Sequence, residues 1–257
     1  MPLISVITPA YRPTADQLTA AYESLAAQDL PPGWEVEWLV QEDGREGATR
    51  AILPDDPRIN HGDNRHLGPA MTRNLALARA RGDLVKNFDA DDLLQPGVLV
   101  RDIDCLTQHT DVHWSTSRVL DLLPNGTLEG FANDPEPGRI EPGAAVEHWR
   151  AHNYRLPVHP TTLCIRRNLA IALGGWMAVP GSEDSGLLVS AATIAAGWFH
   201  AEVGLHYRKH ADQQTAASAH TDENEWRARM ALISERSDAL AQEIYPQVNL
   251  QRTDVAQ

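Results

Sequence analysis

Over the first 110 residues, short β-branched runs alternate with stretches in which apolar positions recur every three or four residues. Residues 4–8 form a strand pattern closed by Pro9. Residues 16–28 then place Leu18, Ala21, Tyr22 and Leu25 at helical spacing, and Pro31-Pro32-Gly33 breaks the run. Residues 35–41 give a second strand that runs into Glu42-Asp43-Gly44, and residues 58–61 a third. A helix is expected over 69–81, carrying Met71, Leu75 and Leu77, with Gly82 as its stop. Residues 84–88 are strand-like and end in Asp89-Ala90-Asp91-Asp92, and 96–108 is helical again. Such alternation predicts an α/β fold with a Rossmann-like, mainly parallel sheet. Ligands of such sheets sit beyond the carboxyl ends of the strands. Three of those ends are polar here: residues 8–12, 42–44 and 89–92.

The pattern changes in the second half. Residues 112–122 are rich in β-branched and aromatic side chains, and Pro124-Asn125-Gly126 follows, a hairpin signal. The Pro-, Gly- and acid-rich stretch 133–142 reads as a mobile loop able to act as a lid. A strand at 163–165, helices at 167–173 and 182–196, a strand at 200–207 and a polar loop at 213–221 complete this half. The last apolar stripe, Trp226, Met230, Ile233, Leu240 and Ile244, lies on one face of a helix over 223–244. It suits packing on its own domain or a homodimer contact.

Composition narrows the partners. The chain has 257 residues, 42% of them hydrophobic, and a formal net charge of -13 from 35 acidic and 22 basic residues. That surface repels nucleic acid and anionic membranes. It also repels a nucleotide diphosphate unless a metal ion or an arginine reverses the sign locally. Cys105 and Cys164 lie far apart with no metal-ligand spacing, as in a reducing compartment. There is no basic, apolar leader and no stretch that would span a membrane, so a cytoplasmic location is expected.

The acid turn carries the first chemistry. Two carboxylates at i and i+2 after a strand, Asp89 and Asp91, can present oxygens to one hard cation such as Mg²⁺ or Mn²⁺. Taken alone, the turn suits a solvated loop or a helix cap equally well. Glu183-Asp184 likewise suits either a catalytic pair or the acidic first turn of a helix.

The order of motifs goes further. Residues 3–11 (Leu-Ile-Ser-Val-Ile-Thr-Pro-Ala-Tyr), Ser24 to Gln28, Trp34 to Val40 and Glu42-Asp43-Gly44 are followed by Asn64, Gly68 to Asn74 and Gly82-Asp83. After the acid turn come Gly174-Gly175-Trp176, Glu183-Asp184 and Tyr207-Arg208-Lys209-His210. This series resembles the family 2 inverting glycosyltransferases of GT-A fold. The resemblance implies a GT-A domain over residues 1–220. Residues 1–110 would be its nucleotide-binding half, and 111–220 its acceptor-side half with a smaller mixed sheet. Residues 221–257 would be a C-terminal helical extension.

It also implies a function, namely metal-dependent transfer of a sugar from a nucleotide diphosphate sugar, UDP favoured, to an acceptor hydroxyl or amine. Thr8, Ala10 and Tyr11 would line the base and Asp43 would accept a hydrogen bond from it. Arg73 would approach base or phosphates, and Asp89 and Ala90 the ribose or sugar. Asp91 would bind Mn²⁺ or Mg²⁺, with His210 or Arg208 touching diphosphate or metal, and Asp184 would be the general base. Asp92, His159, Gly175, Trp176 and Glu183 would lie on the acceptor or donor-sugar side. Glu42 replaces the family's usual first acid. The Gln-x-x-Arg-Trp motif and membrane helices of its processive synthases are missing, which predicts single-sugar transfer to a small molecule, secondary metabolite or saccharide. The rival readings are a sugar-phosphate nucleotidyltransferase, which expects a glycine-rich basic loop where Pro9-Ala10-Tyr11 stands, and a nucleotide-sugar-binding module without catalysis.

Overall fold

The computed structural model describes residues 1–132, 134–210, 213 and 222–244. Its parallel core is built from β1 (Leu3–Ala10), β2 (Glu35–Asp43), β3 (Ile59–Asn64) and β4 (Leu84–Asn87). Strand β1 pairs in parallel with both β2 and β4, and β2 with β3. Ile4, Val6, Ile7, Leu39, Val40, Leu84 and Val85 are buried, as strands covered on both faces require. Helices α1 (Ala15–Ala26), α2 (Ala48–Ile52) and α3 (Pro69–Leu77) connect them. Thr14 and Gln17 close a capping box at the start of α1, and Pro69 opens α3.

Pro9 does not close β1 but lies within it, paired with Gln41. The neighbouring β4 ends opposite Ile7, so β1 has become an edge on that side and the missing N–H costs no ladder bond.

The second half adds β5 (Leu93–Leu94), α4 (Val98–Gln108), β6 (Val112–Leu122), β7 (Leu128–Gly130), β8 (Gly138–Ile140) and α5 (Ala144–Ala151). A 3-10 turn (Pro160–Thr162), β9 (Cys164–Arg166), α6 (Arg167–Ala172), α7 (Glu183–Ile194), β10 (Ala196–Arg208) and α8 (Glu223–Ile244) follow. The expected hairpin is β6–β7. One sheet runs through both halves in the order β3-β2-β1-β4-β9-β6-β10-β5, with β7 on β6 and β8 on β10. Its longest ladders are parallel, and the second half is mixed.

Strand β9 joins the halves, pairing antiparallel with β4 on one side and β6 on the other. A buried ion pair crosses the same seam. Lys86 on β4 donates to Asp102 of α4 at 2.7 Å and to the Thr162 carbonyl at 2.6 Å, while Ser115 of β6 donates to Asp102 at 2.7 Å. Fully buried charges persist only when paired and hydrogen-bonded in this way.

Two expectations are corrected. The helix over 69–81 stops at Leu77, four residues short. The stretch 133–142 is not all loop, because residues 138–140 form β8 and pair with Gly197 to Phe199 of β10. Three residues have no strand signal of their own; the partner supplies it. Within the expected loop over 213–221 only Gln213 is among the described residues. Helix α8 forms as expected and Met230 and Ile233 bury in a core cluster that draws on both halves, while the side chain of Ile244 lies outside the described residues. Among the described residues no helix is long and apolar enough to cross a membrane.

Candidate active site

The carboxyl ends of β1, β2 and β4 come together because these strands are parallel neighbours. The acid turn leaves β4 and is pinned at both ends. Phe88 N donates to the Ile7 carbonyl at 3.1 Å, and β5 pairs with β10 just beyond. Arg208 on β10 fastens the turn again, its backbone N–H donating to Asp92 Oδ1 at 2.9 Å and its Nε to the Asp91 carbonyl at 2.7 Å. His210 follows, with Nε2 2.7 Å from Asp91 Oδ2.

Arg73 is the hub. This α3 side chain is only 4% exposed. It donates through Nη2 to Asp89 and through Nη1 to Glu183 at the start of α7, both at 2.6 Å. One guanidinium thus ties the acid turn of the first half to the Glu183-Asp184 pair of the second. Burial works against its charge, but Asp89, Glu183 and Asp184 outweigh that and hold it in the charged form.

The carboxylates sit under strain of the opposite kind. Burial first, and then the neighbouring acids, raise Asp91, Asp92, Glu183 and Asp184 above the usual carboxylate range. Asp92 Oδ2 is buried with no hydrogen-bond partner among the described residues. Asp184 accepts from Ser185 N at 2.6 Å through Oδ1. Five acids around two arginines and one histidine favour an incoming cation. A hard divalent ion fits the donor set, with Asp91 and His210 already converged. No three His, Cys, Asp or Glu side chains among the described residues would enclose it alone, so diphosphate oxygens and water would complete the shell.

On the other side of β1 the expected base-lining residues divide. Thr8 and Ala10 are fully buried, and Thr8 Oγ1 accepts from Trp38 Nε1 at 2.8 Å. Tyr11 is 54% exposed and stacks on His66 with ring centroids 4.4 Å apart. The Asp43 carboxylate is engaged internally, accepting from Asn64 Nδ2 at 3.0 Å, Leu67 N at 2.7 Å and Gly68 N at 3.0 Å, with His66 Nδ1 at 2.8 Å. It therefore shapes the loop ahead of α3 and fixes His66 beneath Tyr11. His66 went unread in the sequence; its signal is its place just past the carboxyl end of β3.

Gly174 and Gly175 both have left-handed backbones, and a Cβ on Gly175 would collide with Asn74 Oδ1. Asn74 brackets Trp176, accepting from its N–H at 2.9 Å and donating to its carbonyl at 2.8 Å. The Trp176 ring is buried in the core. His159 stands before the 3-10 turn, its ring 5.1 Å from that of Tyr207. Burial raises the Tyr207 phenol, and Asp89, Asp92, Asp91 and Asp184 raise it further.

Comparison with known proteins bears on the family and the fold. Residues 5–116 match the model of the family described as glycosyl transferase family 2. A Bacillus subtilis protein named as the teichuronic acid biosynthesis glycosyltransferase TuaG is 29% identical over 140 residues, which is 52% of this chain and 54% of that protein. An uncharacterized Sinorhizobium fredii protein, y4gI, is 32% identical over 117 residues, 43% of this chain and 12% of its own length. The chain thus spans about half or less of the curated relatives it matches. Among solved structures, S. aureus TarS 1-349 in complex with UDP-GlcNAc superposes with a TM-score of 0.69 at 19% identity, over 95% of this chain and 71% of that one. That superposition is a likeness of fold.

Proposed function

We propose that the chain, whose residues 5–116 match the model of glycosyl transferase family 2, is a transferase of that family and moves a single sugar, with inversion, from a UDP-sugar to an acceptor hydroxyl or amine. The observation that carries this reading is the Arg73 clamp, which holds the acid turn and the Glu183-Asp184 pair together at the strand ends. UDP is favoured because the TarS chain of the same fold was crystallised with UDP-GlcNAc. In this reading residues 1–220 form the transferase unit.

Tyr11 on its His66 support offers a stacking face to the base. Arg73 offsets part of the charge of Asp89 and Glu183, so that the net charge of -13 weighs less against a diphosphate at this point. Asp91 and His210 would hold a divalent ion, which when bound neutralises charge on the diphosphate and assists its departure. Asp184 acts as general base through Oδ2, since Oδ1 accepts from Ser185 N. The acceptor oxygen or nitrogen forms its bond to the anomeric carbon, the bond from that carbon to the diphosphate breaks, and the acceptor proton passes to Asp184. Its raised pKa, caused by burial, makes it a better proton acceptor than a solvated aspartate.

Asp184→Asn is expected to abolish transfer while leaving UDP affinity within about threefold, a change worth under 1 kcal/mol. Calorimetric titration with UDP and Mn²⁺ beside a product assay checks this. Loss of UDP binding equal to the loss of transfer would remove Asp184 from the base role.

A further inference from the structure

Three aromatic rings run from solvent toward the acid cluster. Phe131, directly after β7, is 47% exposed. Its ring centroid is 6.1 Å from that of His159, which is 5.1 Å from that of Tyr207. Tyr207 lies within the field of Asp89, Asp91, Asp92 and Asp184. The 3-10 turn that carries His159 packs against α7, the helix that begins with Glu183 and Asp184. We infer that Phe131, His159 and Tyr207 form an acceptor subsite for the ring of an uncharged pyranose. This deepens the transferase reading and rests on it.

The chemistry of such a ring matches the row. One face of a pyranose presents C–H groups that pack on an aromatic surface, and its rim presents hydroxyls that need directed partners. Phe131 supplies a rigid, solvent-reachable platform at little entropic cost. His159 supplies the polar partner. Thr161 N–H donates to His159 Nδ1 at 3.4 Å, so a neutral ring carries its proton on Nε2. Burial, aided by Lys209, lowers the pKa of His159 to about 4, so it is neutral near pH 7. Among the described residues Nε2–H has no hydrogen-bond partner and is available to a sugar hydroxyl.

Charge excludes a phosphorylated acceptor at this position. Arg118 on β6 is paired with Asp134 at 2.6 Å. Lys209, just past β10, is paired with Asp121 at 3.2 Å and lies 4.4 Å from the Tyr207 ring centroid. Neither offers a free cation, and the cluster beyond is acidic.

The test titrates the full chain, loaded with UDP and Mn²⁺, with methyl β-D-glucopyranoside, sorbitol and glucose 6-phosphate, followed by saturation-transfer NMR. The glucoside should bind more tightly than the open-chain polyol or the phosphorylated sugar. Phe131→Ala should weaken it by about tenfold and Phe131→Trp should restore it. His159→Phe should weaken it and His159→Gln, which keeps a donor, should retain most of it. UDP affinity, measured in the same samples, should not change with any of these. Sorbitol or glucose 6-phosphate binding as tightly as the glucoside, no glucoside binding, or full binding by Phe131→Ala would overturn the subsite. Failure of the wild-type chain to bind UDP would instead overturn the transferase reading.

Discussion

Arg73 shows how much of this site depends on one side chain. It is the cation that both Asp89 and Glu183 hold by hydrogen bonds, and it opposes the upward shifts of Glu183 and Asp184. Replacing it with leucine leaves buried acids without their partner, a change that costs about 3–5 kcal/mol for a broken buried pair. The pH sign follows from linkage. Without Arg73 the folded pKa values of Glu183 and Asp184 rise further above their unfolded values. The deficit of Arg73→Leu is therefore greatest at neutral pH and shrinks as pH falls and these groups protonate. Urea unfolding of both proteins between pH 7.5 and 5 measures this. A deficit that stays constant across that range would mean that Arg73 acts through packing alone. At this scale the sequence was informative about acids and less so about their partners. Asp89, Asp91 and Asp184 stand out beside strand and helix ends. Nothing local, however, links Arg73 to Glu183, 110 positions apart, or sets His66 beneath Tyr11.

At the scale of elements, the parallel strands were legible because β-branched runs bounded by turn residues have few alternatives. The short elements were not. Strand β5 has two residues and β8 three, and each exists through pairing with β10. Helix α5, with Ala145, Val146 and Trp149 buried, follows a Pro-Gly pair that masked its start. The Gly174-Gly175-Trp176 connection carries a sharper message, since it docks the segment ahead of α7 on α3 through Asn74. Gly175→Ala should cost about 2–3 kcal/mol, the sum of a left-handed alanine and a displaced, hydrogen-bonded Asn74. Gly33 also has a left-handed backbone, but an added Cβ there meets nothing, so Gly33→Ala should cost only about 1–2 kcal/mol. Thermal unfolding of the pair separates strain from collision; equal losses would mean that Asn74 yields freely.

For the whole molecule, the net charge of -13 sets the terms on which a nucleotide can approach. At ordinary ionic strength charges beyond about 10 Å are largely screened, so the local balance decides binding. That balance is five carboxylates against Arg73, Arg208 and His210. Mn²⁺ should strengthen UDP binding by at least about tenfold, and Asp91→Ala should remove that gain without changing the weaker metal-free affinity. Calorimetry in the presence and absence of Mn²⁺ distinguishes this from a site elsewhere, for which the gain would survive. Composition had already set this problem; the sheet gathers the three strand ends at which the proposed solution lies.

The position of β9 has a consequence for the chain as it is made. Strands β4 and β6 meet only through β9, whose residues are Cys164–Arg166. A nascent chain must therefore hold open the β4 and β6 edges that face β9 from the completion of β6 until some forty further residues have left the ribosome. Exposed edges of that kind pair with whatever strand they meet first. A polypeptide ending between β6 and β9 would thus be an aggregation hazard rather than a usable half of the fold. Any attempt to express the first half of the chain alone would need to carry β9 with it.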